Sequence, residues 1–195
     1  MALTRRLFIA AGAGPLLAVF PGVLYGRAQG LDRFGTAGPA CNDTGKTTPA
    51  VPRDATFRPG SPERASFVEA GAAGLVLTGT VSGVTCGRIK GARVDFWHAD
   101  AAGAYGDRFR GYQLTDATGG YRLTTIVPGA SGNRARHIGV NVKVAGKADY
   151  WTEIFFPDDP AQARDVRFRK ELLIRLVPGA DPRRQTGTFD FVLDL

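Results

Sequence analysis

Cysteine, methionine and histidine are scarce in this 195-residue chain, which has two, one and two of them. No Cys-x-x-Cys occurs, so neither a zinc knuckle nor a thioredoxin-type redox site has support. No Gly-x-Ser-x-Gly stands between a strand and a helix, which removes the basis for serine hydrolase chemistry. The net charge is +7, yet the basic residues are scattered among acids without a Lys/Arg stripe or interleaved aromatics. A nucleic-acid partner is therefore not expected. Long runs of helix formers are missing too, and no repeat of about 20 to 50 residues argues for a solenoid or propeller. Glycine (26) and proline (12) are plentiful instead, as in short strands joined by tight turns.

A chain of this length suits one domain with an N-terminal extension. Thr4-Arg5-Arg6-Leu7-Phe8-Ile9 opens a weakly apolar, Gly/Ala-rich stretch. Paired arginines before such a stretch read as a twin-arginine export signal over residues 1–28, with delivery to the periplasm or outside the cell. Gly12, Gly14, Pro15, Pro21 and Gly22 interrupt it, so no stable membrane span is expected once the signal is removed. A chain starting at Gln29 would lose Arg5, Arg6 and Arg27 and carry +4. An oxidising compartment would allow Cys41 to pair with Cys86; two independent small buried residues are the alternative.

Residues 29–71 are rich in Thr, Pro, Gly and charge and read as an irregular arm. From residue 72 to 195 the period becomes two. Leu75, Leu77 and Val81 begin the first convincing strand, and Val94 and Phe96 alternate with Arg93 and Asp95 in the next. The turn cluster Thr115 to Gly120, followed by Tyr121 to Ile126, predicts a hairpin-like connection. Ile138, Val140, Val142 and Val144 alternate with Gly139, Asn141 and Lys143, the pattern of a strand with one buried face. Runs at 151–156, 172–177 and 188–193 bring the expected count to about seven strands, which fits an all-β two-sheet sandwich. Only 160–167 looks helical.

Few side chains remain to carry chemistry, and they fall in five segments. These are Trp97-His98-Ala99-Asp100 with Gly103-Ala104-Tyr105, Arg110-Gly111, Thr125-Ile126-Val127-Pro128-Gly129, Arg134-Ala135-Arg136-His137-Ile138, and Thr152-Glu153-Ile154-Phe155-Phe156. In this order and spacing they resemble the intradiol ring-cleavage dioxygenases, over about Leu75 to Pro160. The resemblance implies a β-sandwich of the intradiol core type, a non-haem Fe(III) cofactor and a catechol-like aromatic small molecule as partner. In that family two tyrosinates and two histidines hold the iron, and a phenolate suits it because coordination deprotonates a phenol whose free pKa is near ~10.

Carried onto this chain, the first family tyrosine falls on Tyr105 and the first histidine on His137. Arg134 matches the active-site arginine, whose charge stabilises an anionic intermediate. The family's Pro-Gly-x-Tyr is here Pro128-Gly129-Ala130-Ser131, and its His-Ile-His is His137-Ile138-Gly139. Ser131 and Gly139 cannot replace a tyrosinate and an imidazole, so ordinary four-ligand ferric chemistry is not expected. The family's Thr-Gln pair has become Thr152-Glu153, which brings a carboxylate to the presumed pocket. Two readings stay open. In one, Tyr105, His137 and Glu153 form an altered metal site; in the other the chain is a pseudoenzyme that binds an aromatic ligand or an envelope protein. His98 lies outside the family's ligand set and reads as a satisfied structural histidine. Restoring both ligands with Ser131→Tyr and Gly139→His is expected to raise ferric affinity.

Overall fold

The computed structural model describes residues 46–69, 74–85, 87–177 and 184–195. The expected export signal, the arm up to residue 45, and the Cys41–Cys86 pairing lie outside these residues. Nine strands follow in chain order: β1 (Leu75–Gly83), β2 (Arg93–His98), β3 (Arg110–Leu114), β4 (Gly120–Thr125), β5 (His137–Lys143), β6 (Tyr150–Phe155), β7 (Arg175–Val177), β8 (Gln185–Thr188) and β9 (Phe191–Leu193). They form two sheets, one ordered β4-β1-β8-β7 with β9 also paired to β1, the other β3-β2-β5-β6. The protein is thus the all-β sandwich that the alternating pattern predicts.

Alternate residues of the two sheets build one core. Leu75, Leu77 and Leu123 come from the first sheet; Val94, Phe96, Ile138, Val140 and Ile154 come from the second. His98 points into this interior, where it is fully buried. Its Nε2 lies 2.7 Å from the Thr125 hydroxyl and its Nδ1 2.7 Å from the Ala99 carbonyl. Burial lowers its pKa to about 4, so it is a neutral packing residue, as the sequence reading holds.

Three local expectations need correction. The turn after Thr115 does not close a hairpin: β3 pairs with β2 in one sheet and β4 with β1 in the other, so the turn carries the chain between sheets. Asp116 fixes that crossing by accepting from the N–H groups of Thr118 and Gly120. The run 188–193 is two strands, because the chain steps away at Phe189–Asp190; its Phe189 carbonyl rests on Gly79, where a Cβ would meet it at 1.7 Å. Of 160–167 only Pro160–Ala163 is helical, as a single 3-10 turn capped by Asp159. Asp159 is buried and also accepts from the Arg136 N–H and guanidinium.

The largest departure concerns β5. Its first six residues are all buried, not just the alternate ones. Ile138, Val140 and Val142 face the core, and His137, Gly139 and Asn141 face the opposite side. That side is covered by Trp97 and by the described part of the arm, residues 46–69. The arm runs along the sheet margins, with the Val51 N–H on the Trp151 carbonyl, the Arg64 N–H on that of Tyr112 and the Phe67 N–H on that of Thr124. A strand pattern with one apolar face became a strand buried on both faces because a polar segment supplies the second cover.

Candidate functional site

Cross-strand register brings the sequence-selected residues together beneath the arm. Gly139 on β5 pairs with Trp97 on β2 and with Glu153 on β6, so these three form one row across the sheet. His137 stands two residues from Gly139 on the same face. Arg134 precedes β5, and Tyr105 comes from the loop between β2 and β3. The Tyr105 hydroxyl lies 3.0 Å from His137 Nε2. His137 Nδ1 is 2.7 Å from the Ala135 carbonyl, which can only accept, so Nδ1 carries a proton and Nε2 is the ring atom that faces Tyr105 and Asp54.

Around this pair lies an ion cluster that the motifs only partly reveal. Glu153 is 1% exposed; its Oε2 is 2.5 Å from Arg134 Nη2 and its Oε1 2.8 Å from Arg167 Nη2. Arg134 Nε also donates to both Asp165 oxygens, at 3.0 and 2.9 Å. Asp165 accepts from the backbone N–H groups of Ala135 and Arg167 as well. From the arm, Asp54 Oδ2 approaches Arg134 Nη1 at 3.6 Å and His137 Nε2 at 3.7 Å. Its other oxygen accepts from the Thr56 N–H at 2.8 Å.

These contacts set the protonation states. Burial alone would push the Asp54 carboxyl up, but its polar contacts with His137 and Thr56 outweigh burial and hold it well below the usual carboxylate range. Asp165 is held low in the same way, burial being overcome by hydrogen bonds from Arg167, Arg134 and Ala135. For Tyr105 burial and the negative charge of Asp54 act together, and its phenol is pushed up to about 12. At neutral pH Tyr105 is therefore a hydroxyl that can donate to His137, not a phenolate.

The two positions of altered motif differ in what surrounds them. A Cβ on Gly139 would lie 2.2 Å from Trp97 Cε2 and 2.4 Å from Cζ2, so the indole fills the space into which a side chain there would project. The indole N–H donates to the Thr56 hydroxyl at 3.1 Å, and the ring packs edge-on to Phe57 and Trp151 at 5.0 and 6.2 Å between centroids. Ser131 is half-buried on a loop bridged to Arg134. Tyr112 and Tyr121 do not enter the site: the first bonds Glu63 and the second the Phe189 carbonyl. Beside Tyr105 an open cleft of about 480 Å³ is lined by Asp100, Ala104, Phe109 and Ile126.

Asp54, His137 and Glu153 each offer a donor atom within 4.8 Å of the others. Sequence reading supplies two of these. Asp54, Thr56, Asp165 and Arg167 were not singled out, since they lie on irregular segments without period or motif. The one available signal was the pairing of a bulky Trp97 with a glycine, visible only once the register is known.

A two-sheet sandwich carrying a Tyr–His pair and an arginine on one sheet face is the architecture of the intradiol ring-cleavage dioxygenases. Residues 62–195 match the family model described as Dioxygenase, and the chain belongs to that family. The dioxygenase domain of a dioxygenase carbohydrate-binding protein fusion from the cellulolytic bacterium Streptomyces sp. SirexAA-E is 40% identical, with TM-score 0.72, over 77% of this chain and 99% of that one. An intradiol ring-cleavage dioxygenase from Tetranychus urticae shares the fold at 22% identity and TM-score 0.69, over 76% of this chain and 95% of that one. Catechol 1,2-dioxygenase of Acinetobacter baylyi is 28% identical over an alignment of 138 positions, with coverage of 55% of this chain and 44% of that protein. The chain thus spans less than half the length of that curated relative.

Proposed function

We propose that this chain is an exported intradiol-family protein that has lost ferric ring cleavage and binds a catechol-like aromatic ligand beside Tyr105. The observation that carries this reading is the filling of the site by the chain's own groups. The Trp97 indole lies over Gly139, where the family's second histidine would project, and both oxygens of Glu153 are taken by Arg134 and Arg167. The residues present do not fit two tyrosinates and two histidines. Ser131 supplies no second phenolate.

The cleft beside Tyr105 supports the binding half of the proposal. Phe109 and Ile126 give it apolar wall, and Tyr105 and Asp100 give it polar groups, which suits a flat ring bearing hydroxyls. Export rests on the paired arginines at 5 and 6 with their mild apolar stretch. No helix among the described residues is long and apolar enough to cross a membrane.

Two measurements test this. Elemental analysis with a visible spectrum should find no stoichiometric iron and no tyrosinate-to-iron band, and catechol should not be cleaved. One iron per chain with that band would return the protein to the catalytic reading. Neither tryptophan lines the cleft, so binding is read by titration calorimetry, where catechol should give a saturable heat signal. A signal unmoved by catechol sinks the binding reading.

A further inference from the structure

We propose that Asp54, His137 and Glu153 form a divalent metal site of this chain's own, suited to a borderline cation such as Zn(II). Its donors differ from the family's two tyrosines and two histidines, and the first of them comes from the arm. The proposal is independent of the aromatic ligand considered above.

The starting point is the approach of one ring nitrogen and one carboxylate oxygen. His137 carries its proton on Nδ1, held by the Ala135 carbonyl at 2.7 Å, which is how imidazoles that bind metal through Nε2 are oriented. Nε2 then faces Asp54 Oδ2 at 3.7 Å. The Tyr105 hydroxyl lies 3.0 Å from the same Nε2. Two coordination bonds of ~2.1 Å meeting at a wide angle do span 3.7 Å.

Glu153 supplies the third donor. The three donor atoms lie within 4.8 Å of one another, and two such bonds reach at most ~4.2 Å. A pair at that 4.8 Å limit must therefore close by at least ~0.6 Å before both donors reach one ion. Three carboxylates, Asp54, Glu153 and Asp165, face two guanidiniums, Arg134 and Arg167, with the His137 imidazole beside Asp54. One imidazole with two carboxylates is a donor set for Zn(II) and its first-row neighbours.

Arg134 is the competing cation. Its Nη2 sits 2.5 Å from Glu153 Oε2 and its Nη1 3.6 Å from Asp54 Oδ2, so it bridges the two carboxylates that a metal would draw together. A metal must displace that bridge, which gives the proposal an unusual sign: removing a positive side chain should tighten binding.

The test is a Co(II) titration of the full metal-free chain, followed by its visible d–d spectrum, with Zn(II) as competitor. One Co(II) per chain, displaced by Zn(II), is expected. Asp54→Asn, which keeps the side chain's shape, should weaken binding beyond the ~10–100-fold typical of losing a supporting residue. Arg134→Gln should strengthen it at least tenfold, and Asp149→Asn, remote from the cluster, should leave it unchanged. No Co(II) band in either the wild type or Arg134→Gln overturns the proposal. So does binding that survives Asp54→Asn undiminished, or that weakens in Arg134→Gln while circular dichroism shows a native fold.

Discussion

Replacing Gly139 by alanine tests the central claim about the site with a single methyl group. A strand glycine exchanged for alanine at an open position would gain roughly 0.5–1 kcal/mol from reduced backbone entropy. Here the new Cβ would sit 2.2 Å from Trp97 Cε2, whereas ordinary contact begins at 3.4 Å, so the indole must retreat by about 1.2 Å. That retreat breaks the Thr56 hydrogen bond and loosens two ring contacts, worth about 1 and about 0.5–1.5 kcal/mol respectively. Overpacking of this kind costs ~1–3 kcal/mol, so the clash outweighs the entropic gain. A net loss near 2 kcal/mol lowers Tm by about 4–8 °C in a chain this long. Thermal unfolding of Gly139→Ala, Trp97→Ala and the double variant gives the coupling, and Trp97→Ala should cost less once alanine is present. Equal costs in both backgrounds, or a stabilised Gly139→Ala, would refute the packing argument. The same geometry adds a condition to the expectation that Ser131→Tyr with Gly139→His raises ferric affinity, because Trp97 occupies the space beside Gly139. Only with Trp97→Ala added should a ferric band appear; its appearance without that change would show the indole to be no obstacle.

Other outcomes follow from the buried ionisable groups. Because His98 is held neutral with a pKa of about 4 against an ordinary 6.5, the unfolded chain takes up a proton first as pH falls. Its contribution is complete above pH 6.5, and about 3 kcal/mol is lost on the way down to pH 4; urea unfolding at several pH values should show this, and His98→Gln should flatten it. The depressed Asp159 and Asp165 act lower still, losing their contribution only as pH drops through the acidic carboxylate range. Glu153→Ala leaves Arg134 and Arg167 without their shared anion and should cost roughly 3 kcal/mol, measured by denaturant unfolding; a change under ~1 kcal/mol would show the cluster to be loosely held. In a spectrophotometric titration Tyr105 should ionise only near pH 12, and its ionisation near neutrality would contradict the neutral phenol.

Strands whose two faces differ in polarity were readable from the sequence, and so was their assembly into a sandwich. Val94 with Phe96, or Ile138 with Val140, announce a core face by period alone. What period cannot announce is cover supplied by a segment that has none. The arm residues Asp54, Thr56 and Phe57 belong to no repeating pattern, yet they decide that His137 and Trp97 are buried. Tyr105, His137, Arg134 and Glu153 were all selected from motifs and do converge. Their partners Asp54, Asp165 and Arg167 come from loops, where the backbone path is set by tertiary hydrogen bonds. The β8–β9 break shows the same limit: Thr188 to Leu193 reads as one strand until the step at Phe189 against Gly79 is seen.

The arm ties together parts of the chain that are distant in sequence. The Thr48 N–H bonds the Val192 carbonyl, and the Val192 N–H returns to the Thr48 hydroxyl, across a separation of 144 residues. Closing so long a loop yields few contacts for its entropy, which places the docking of the arm late in folding. The two sheets can collapse on their own apolar faces before that step. Asp54 then arrives last, after His137 and Glu153 are already in register, so the site is completed by the final stage of folding. In exchange experiments the amides of Val51 and Thr56 should open well below the free energy of the β2–β5 ladder. Whatever occupies the site, ion or aromatic ring, would be held in part by a segment that opens more readily than the strands beneath it.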